Sequence, residues 1–368
     1  MFDRLPEYPW EKLKPFRQKA ASHVDGPIDL SVGNPIDPTP ELIQKALDDA
    51  SNAPGYPTAW GEPAARQAVA DWYDIRRKSP GLSAENVLLT IGSKEFISLL
   101  PLMLGLGNGD VVVQPRLAYT AYQVGAAFAG AELVENDDPE SWPANTKLIW
   151  LNSPGNPNGA VSSVEILKKA VARARELGAV IVNDECYAEM GWDPEYEDYI
   201  PCILDPAVTG GDIENILSIY SLSKQSNLAG YRAAFAAGDS ALIKGLVNLR
   251  MHSGMMVPMP VQKAISAALG DHAHVLTQKE IYRNRRNILL PALVSAGFEI
   301  VDSNAGLYLW ATNSKPCWET IDDLAQIGII AVPGEFYGQA GANFVRFSVT
   351  ATDEEISRAA DRLQNGLG

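Results

Sequence analysis

The chain has 368 residues, with 30 Lys and Arg against 45 Asp and Glu, a formal charge of −15. Its 46% apolar and 20% charged residues are a globular mix with enough apolar mass for a sizeable core. The acid excess argues against nucleic acid or an anionic membrane as partner, while a small anionic substrate stays open, because a few local cations outweigh a global charge.

Met1-Phe2-Asp3-Arg4-Leu5 lacks the basic-then-apolar order of a signal peptide, and no apolar run is long enough to span a bilayer. A cytoplasmic protein is expected. Cys186, Cys202 and Cys317 are scattered, with no CxxC, and read as reduced, buried thiols. His272-Ala273-His274 reads as a solvent-facing helix start, and no metal site is expected.

In chain order, the segment before about Pro40 is proline-rich and irregular, and is expected to pack on a second domain. Apolar, β-branched runs predict strands at Val87–Thr90, Val111–Gln114, Lys147–Leu151, Val180–Asn183 and Ile216–Tyr220. Helical stretches fall between them, at Glu95–Leu104 and at Val164–Leu177, the second closed by Gly178. This alternation predicts an α/β fold: a three-layer large domain around a mostly parallel sheet. From about Gln278 the pattern changes. A polar helix, Gln278–Leu290, leads into short segments at Glu299–Asp302, Leu307–Ala311, Ile329–Val332 and Phe344–Val349. These predict a smaller α+β domain, so the expected division is 40–280 against 1–39 together with 281–368.

Four of the predicted strands end in polar or small residues: Gly92-Ser93-Lys94, Asn152 to Pro157, Asp184-Glu185, and Ser221-Leu222-Ser223-Lys224. Ligands of open parallel sheets bind outside the carboxyl ends of the strands, so four such clusters suggest one shared site. Lys224 at a strand end would lose charge on desolvation, which makes its amine a nucleophile able to form a Schiff base. Taken alone it reads equally as a surface lysine in a turn. Ala229-Gly230-Tyr231-Arg232 returns a cation and a tight turn to the same neighbourhood.

Asp184 needs a cationic or hydrogen-bonded partner if buried, such as a protonated pyridine nitrogen, or else it caps a helix at Glu185–Met190. Gly92-Ser93-Lys94 precedes a helix and suits a phosphate, or is an ordinary Ser cap. Asn156, stiffened by Pro157, could donate to a ring oxygen. By strand alternation Arg346 shares a face with Phe344 and Ser348 and suits a bidentate carboxylate clamp, or else a solvent face. Gly105-Leu106-Gly107-Asn108-Gly109 precedes a strand instead of a helix and is no dinucleotide fingerprint.

In this order the motifs resemble the pyridoxal-phosphate aminotransferases of fold type I, class I/II, over nearly the whole chain. Ser221-Leu222-Ser223-Lys224 with Gly230-Tyr231-Arg232 is similar to the family's Schiff-base lysine signature. Asn156-Pro157-Asn158-Gly159 is similar to its Asn-Pro-Thr-Gly loop, and Asp184-Glu185-Cys186-Tyr187 to its Asp-Glu-x-Tyr element. The resemblance implies pyridoxal 5′-phosphate as cofactor, with Lys224 as the Schiff-base lysine and proton shuttle. It implies that Asp184 sits on the ring nitrogen, Asn156 and Tyr187 on the ring hydroxyl, and Tyr119 on the ring face. Gly92, Ser93, the Lys94 backbone, Ser221 and Arg232 would hold the phosphate. Tyr56 would reach the phosphate of a partner subunit, which implies a homodimer with shared sites. Arg346, with Gly33 close by, would bind the substrate α-carboxylate.

Thr120, Ala234 and Tyr337 depart from the family pattern without removing a reacting group. Within the family, Leu5-Pro6-Glu7-Tyr8-Pro9-Trp10 and the stretch Asp29 to Pro38 resemble the N-succinyldiaminopimelate aminotransferases. That implies glutamate and 2-oxoglutarate with a dicarboxylic amino or keto acid, in lysine and diaminopimelate synthesis. Arg116 and the Lys94 side chain are the expected readers of its far end. The alternatives are another aminotransferase of amino-acid metabolism, a C–S β-lyase on the same cofactor, or a cofactor-binding regulator, for which no added DNA-binding segment is visible.

Overall fold

The computed structural model describes residues 9–366, so Leu5 to Tyr8 of the opening motif lie outside the described residues. The described chain opens on a short helical turn, Pro9–Leu13, and the helix Lys14–Ala21, followed by a short strand, β1 (Ile28–Asp29). Seven strands build the large sheet: β2 (Val87–Ile91), β3 (Val111–Gln114), β4 (Glu132–Glu135), β5 (Thr146–Asn152), β6 (Val180–Asp184), β7 (Ile216–Ser221) and β8 (Ala233–Gly238). Five short strands follow: β9 (Glu299–Ile300), β10 (Tyr308–Thr312), β11 (Ile329–Ile330), β12 (Val332–Pro333) and β13 (Val345–Ser348).

The large sheet has the order β2-β8-β7-β6-β5-β3-β4. All its neighbours pair in parallel except those of β8, which runs against both β2 and β7. The fold is therefore the α/β type that the alternation predicts. Successive side chains of a strand point to opposite faces. Val87 and Leu89 join one core with Ile149, Ile181, Trp72, Leu167 and Val261. Leu88 joins the other, with Leu148, Val182, Leu217, Phe96 and Ile243. Helices Pro63–Arg77, Val164–Leu177 and Met259–Gly270 cover the first face, and Ser93–Met103, Ala121–Ala129 and Ser240–Ser253 the second. Burial on both faces explains why these strands read as unbroken apolar runs.

A second core gathers Leu13, Ile28 and Leu30 with Tyr282, Leu289, Leu309, Leu324, Phe347 and Leu363. Its sheet has the order β12-β13-β10-β9, and β1 pairs in parallel with β11, Ile28 opposite Ile329. The long helix runs from Ala273 to Ser295, ten residues longer than its polar centre predicts. Its extra turns carry apolar residues that pack, as Val275 and Leu293 do.

Two local readings are corrected. His274 does not face solvent: it is buried, hydrogen-bonded to Ser226 Oγ at 2.8 Å and to Asp271 at 2.7 Å. Residues after Asp184 form a turn, not the capped helix considered for Glu185–Met190. Glu185 accounts for the difference. It is fully buried and pairs with buried Arg77 at 2.9 Å, and its other oxygen takes the Ile203 amide and the Asn183 side chain. The three cysteines are free and buried. No helix among the described residues is long and apolar enough to cross a membrane.

Candidate active site

The polar strand ends meet around one cavity of about 690 Å³. β2 delivers Ser93, β5 Asn152, β6 Asp184 and β7 Ser221. Because β8 runs the other way, the residue that precedes it, Arg232, reaches the same rim. Register keeps these groups side by side: Asn152 lies opposite Asp184, and Ser221 opposite Ala234.

Lys224 follows a turn pinned by Leu222 N–H to Ala233 O and Ser223 N–H to Ser221 Oγ. Its amine donates to the Gly33 carbonyl. Burial pushes its pKa below the usual lysine range, and Arg346 and Arg232 act the same way; Tyr308 and Cys186 oppose them without reversing the shift.

Asp184 is buried. Its Oδ2 accepts from the Tyr122 hydroxyl at 3.0 Å and its Oδ1 from the Cys186 amide at 3.2 Å. It has no ion-pair partner among the described residues. Burial pushes its pKa up in spite of these hydrogen bonds. A buried carboxylate in this state favours an added cation.

The helix Ser93–Met103 starts without a side-chain cap, and Gly92 takes the flanking position at φ 73°. Ser93 is thus the first helical residue, not the cap, and the first N–H groups stay free for an anion. A Cβ on Gly92 would lie 2.1 Å from Arg232 Nη2, so only glycine lets that guanidinium close on the helix start. The Ser221 and Ser223 hydroxyls lie 2.8 Å apart beside it.

Arg346 is 3% exposed, which removes the solvent-face alternative. It donates to Asn156 Oδ1 at 2.8 Å and to Ser31 O at 2.7 Å, and lies 3.8 Å from the Tyr308 ring centroid. Its Nε has no partner, and no carboxylate pairs with it among the described residues. Since Asn156 Oδ1 is taken by Arg346, the amide NH₂ is left for the cavity.

Of the residues singled out from sequence, Gly33, Ser93, Lys94, Tyr119, Asn156, Asp184, Tyr187, Ser221, Lys224, Arg232 and Arg346 line this cavity. Gly92 sits directly behind it. Arg116 does not line it: the side chain is exposed and the backbone amide binds Asp137. Tyr56 is 99% exposed and lines a separate cavity with Met259 and Lys263.

Sequence reasoning missed Tyr122, Tyr308, Arg17 and Trp10. Tyr122 stands one helical turn after Tyr119, a spacing that could have found it. Arg17 reaches the cavity from helix Lys14–Ala21, held by Asp29 at 2.8 Å and Ser31 Oγ at 2.9 Å. Thr120 holds φ −56° at the start of helix Ala121–Ala129, a value close to that which proline imposes, so this departure keeps the backbone.

Residues 25–363 match the family model for aminotransferases of class I and II. A transaminase of Streptomyces rimosus, OxyQ, named for 4-dedimethylamino-4-oxo-anhydrotetracycline, is 49% identical over 360 residues, covering 98% of this chain and 99% of the relative. An LL-diaminopimelate aminotransferase of Aquifex aeolicus is 34% identical, covering 98% and 97%. A solved aminotransferase from Staphylococcus aureus superposes with a TM-score of 0.87 at 27% identity, covering 99% and 97%.

Enzymes of this family use pyridoxal 5′-phosphate. The site fits it by its own chemistry: an uncapped helix start against Arg232 for the phosphate, a buried carboxylate lacking a cation, and a desolvated amine between them. The chain is a pyridoxal-phosphate-dependent member of the class I and II aminotransferase family.

Proposed function

We propose that this enzyme moves an amino group between glutamate and a keto acid that carries a second carboxylate, as the N-succinyl-LL-2,6-diaminopimelate:2-oxoglutarate reaction requires. The observation that carries this reading is a cavity lined by Arg346, a buried guanidinium held by Asn156 beside Lys224, and by two further cations, Arg17 and Lys94. A planar two-donor group of this kind matches a carboxylate.

Bound pyridoxal phosphate supplies an aldehyde that joins an amine and a ring that accepts the electron pair released at the substrate Cα. The chain does the rest. Gly92, Ser93, the Lys94 backbone, Ser221 and Arg232 would hold the phosphate. Asp184 would keep a proton on the ring nitrogen, Asn156 and Tyr187 would donate to the ring oxygen, and Tyr119 would cover the ring face. Lys224 Nζ, its pKa lowered by desolvation, would take the proton from the substrate Cα and deliver it to the carbon that was the cofactor's aldehyde, so that the amino group stays behind. Arg346 and Gly33 fix the α-carboxylate.

Arg17 and the Lys94 side chain are the cations placed to read a distal carboxylate, in place of Arg116. In this reading residues 40–280 make up the cofactor lobe and, of the described residues, 9–39 with 281–366 the second, with the helix Ala273–Ser295 crossing that boundary. The assembly in this reading is a homodimer, Tyr56 of one protomer serving the phosphate of its partner.

A second reading has a bulky ketone as acceptor. The 49% identical relative is named for a tetracycline ketone, and Trp10, Phe336 and Tyr337 give the cavity an aromatic rim. One panel separates the two. With glutamate as donor, turnover with dicarboxylic keto acids, and none with bulky cyclic ketones, supports the first; the reverse supports the second. Release of pyruvate and ammonia from a β-thio amino acid, without 2-oxoglutarate from glutamate, would replace both with a β-lyase.

A further inference from the structure

Tyr308 of β10 has no part in the chemistry assigned above. Its hydroxyl lies 3.1 Å from that of Tyr187, and the two rings meet edge to face at 5.7 Å. The Arg346 guanidinium lies against its face. A Cβ on Gly33 would come within 2.1 Å of the Tyr308 oxygen, so glycine at 33 is what admits this phenol.

Two hydroxyls at this distance share one proton, and acidity decides which of them donates. The titratable groups facing Tyr308 are Tyr119, Tyr187, Tyr282, Tyr337, Lys224 and Arg346. Arg346 is a cation and a donor, not an acceptor, while Lys224 is the desolvated amine that the cofactor takes up. Burial alone would raise the Tyr308 phenol, but the Arg346 guanidinium against its face holds it below its ordinary range. Burial pushes the Tyr187 phenol up. With the guanidinium 3.8 Å from its ring centroid, Tyr308 is the phenol set to donate, and Tyr187, which lines the cavity 3.1 Å away, is the oxygen set to accept. The Tyr187 hydroxyl has no other partner among the described residues, so its own proton is left for the cavity.

We propose that Tyr308 is a positioning residue: its hydroxyl donates to Tyr187 and so directs the Tyr187 proton at the ring oxygen of the cofactor. This rests on the reading that Tyr187 faces that oxygen. Two donors in series polarise one another and stabilise a negative oxygen better than one.

The test uses the cofactor-loaded protein without substrate. The readout is the pH at which the visible absorption of the bound cofactor changes. Donation to the ring oxygen favours the form in which that oxygen is anionic, and so lowers this pH. Tyr308→Phe is expected to raise it by about half to one pH unit, the worth of one hydrogen bond. Tyr187→Phe should raise it further, and the double variant should match Tyr187→Phe alone, since Tyr308 acts through Tyr187.

If Tyr187→Phe shifts the transition and Tyr308→Phe does not, the relay is wrong while the Tyr187 reading stands. Additive shifts in the double variant overturn the relay as well. An unshifted Tyr187→Phe overturns the Tyr187 reading and the relay with it. Tyr308→Phe keeps the ring under Arg346, so KM for the amino donor should stay within about twofold; a large rise in KM with no change in the absorption transition would make Tyr308 a carboxylate-site residue instead.

Discussion

Arg346 Nη1 lies 2.8 Å from Asn156 Oδ1, joining a strand of the second core to the loop after β5 across 190 residues of sequence. The contact fixes which face of the Asn156 amide meets the cavity and how the guanidinium presents its open edge.

Arg346→Lys keeps the charge and loses the fork. Hydrogen bonds to charged groups are worth about 1.5–3 kcal/mol, so kcat/KM should fall about tenfold to a hundredfold. Steady-state kinetics with glutamate should place the loss mainly in KM. An unchanged KM would remove Arg346 from the carboxylate site.

Lys224→Ala should abolish turnover while pyridoxal phosphate still binds through its phosphate contacts. Borohydride reduction followed by mass spectrometry should find the cofactor joined to the wild-type chain and not to the variant. A reduced adduct on another lysine of the wild type would move the reactive amine elsewhere.

Asp184 gives a pH dependence of stability to the cofactor-free protein. Its folded pKa is raised, so the folded state holds the proton more tightly than the unfolded chain does. The penalty is absent at low pH and grows as pH rises from about 4, the ordinary carboxyl value, through the raised one. Cofactor-free Asp184→Asn should therefore melt above wild type at neutral pH. With pyridoxal phosphate bound the order should reverse, because the ring nitrogen supplies the missing cation. Thermal unfolding with and without cofactor reads both.

Arg77→Met strips a buried carboxylate of its cation. Arg77 is 1% and Glu185 0% exposed, and breaking such a pair costs about 3–5 kcal/mol. Urea unfolding should show that loss. A change under about 1 kcal/mol would mean that Glu185 is satisfied by Asn183 and Ile203 alone.

Much of this site was legible because its chemistry sits in short runs. The large-sheet strands showed as apolar runs, and their carboxyl ends carried the motifs: Gly92-Ser93-Lys94, Asn156, Asp184 and Lys224 each lie within a few residues of a strand end. Groups contributed by the second sheet were harder. Tyr308 sits in a strand where every residue but the last is buried, so alternation gave it no polar face to stand out from. Arg17 depends on the amino-terminal helix folding back to the cavity, which no local pattern announces. Arg116 failed for the opposite reason: a cation near the site motifs in sequence turns its side chain to solvent, while its backbone amide binds Asp137.

The single reversed strand has an evolutionary corollary. Lys224 and Arg232 lie on one connection, from β7 to β8, which is pinned where it enters β8: Leu222 N–H donates to Ala233 O, and Gly92 N–H, just after the neighbouring β2, donates to Arg232 O. The reactive amine and the phosphate cation are thus spaced by a single hairpin-like segment, not by the packing of distant parts. Lengthening that segment by even one residue would displace both together, so this connection should tolerate changes of side chain far better than changes of length.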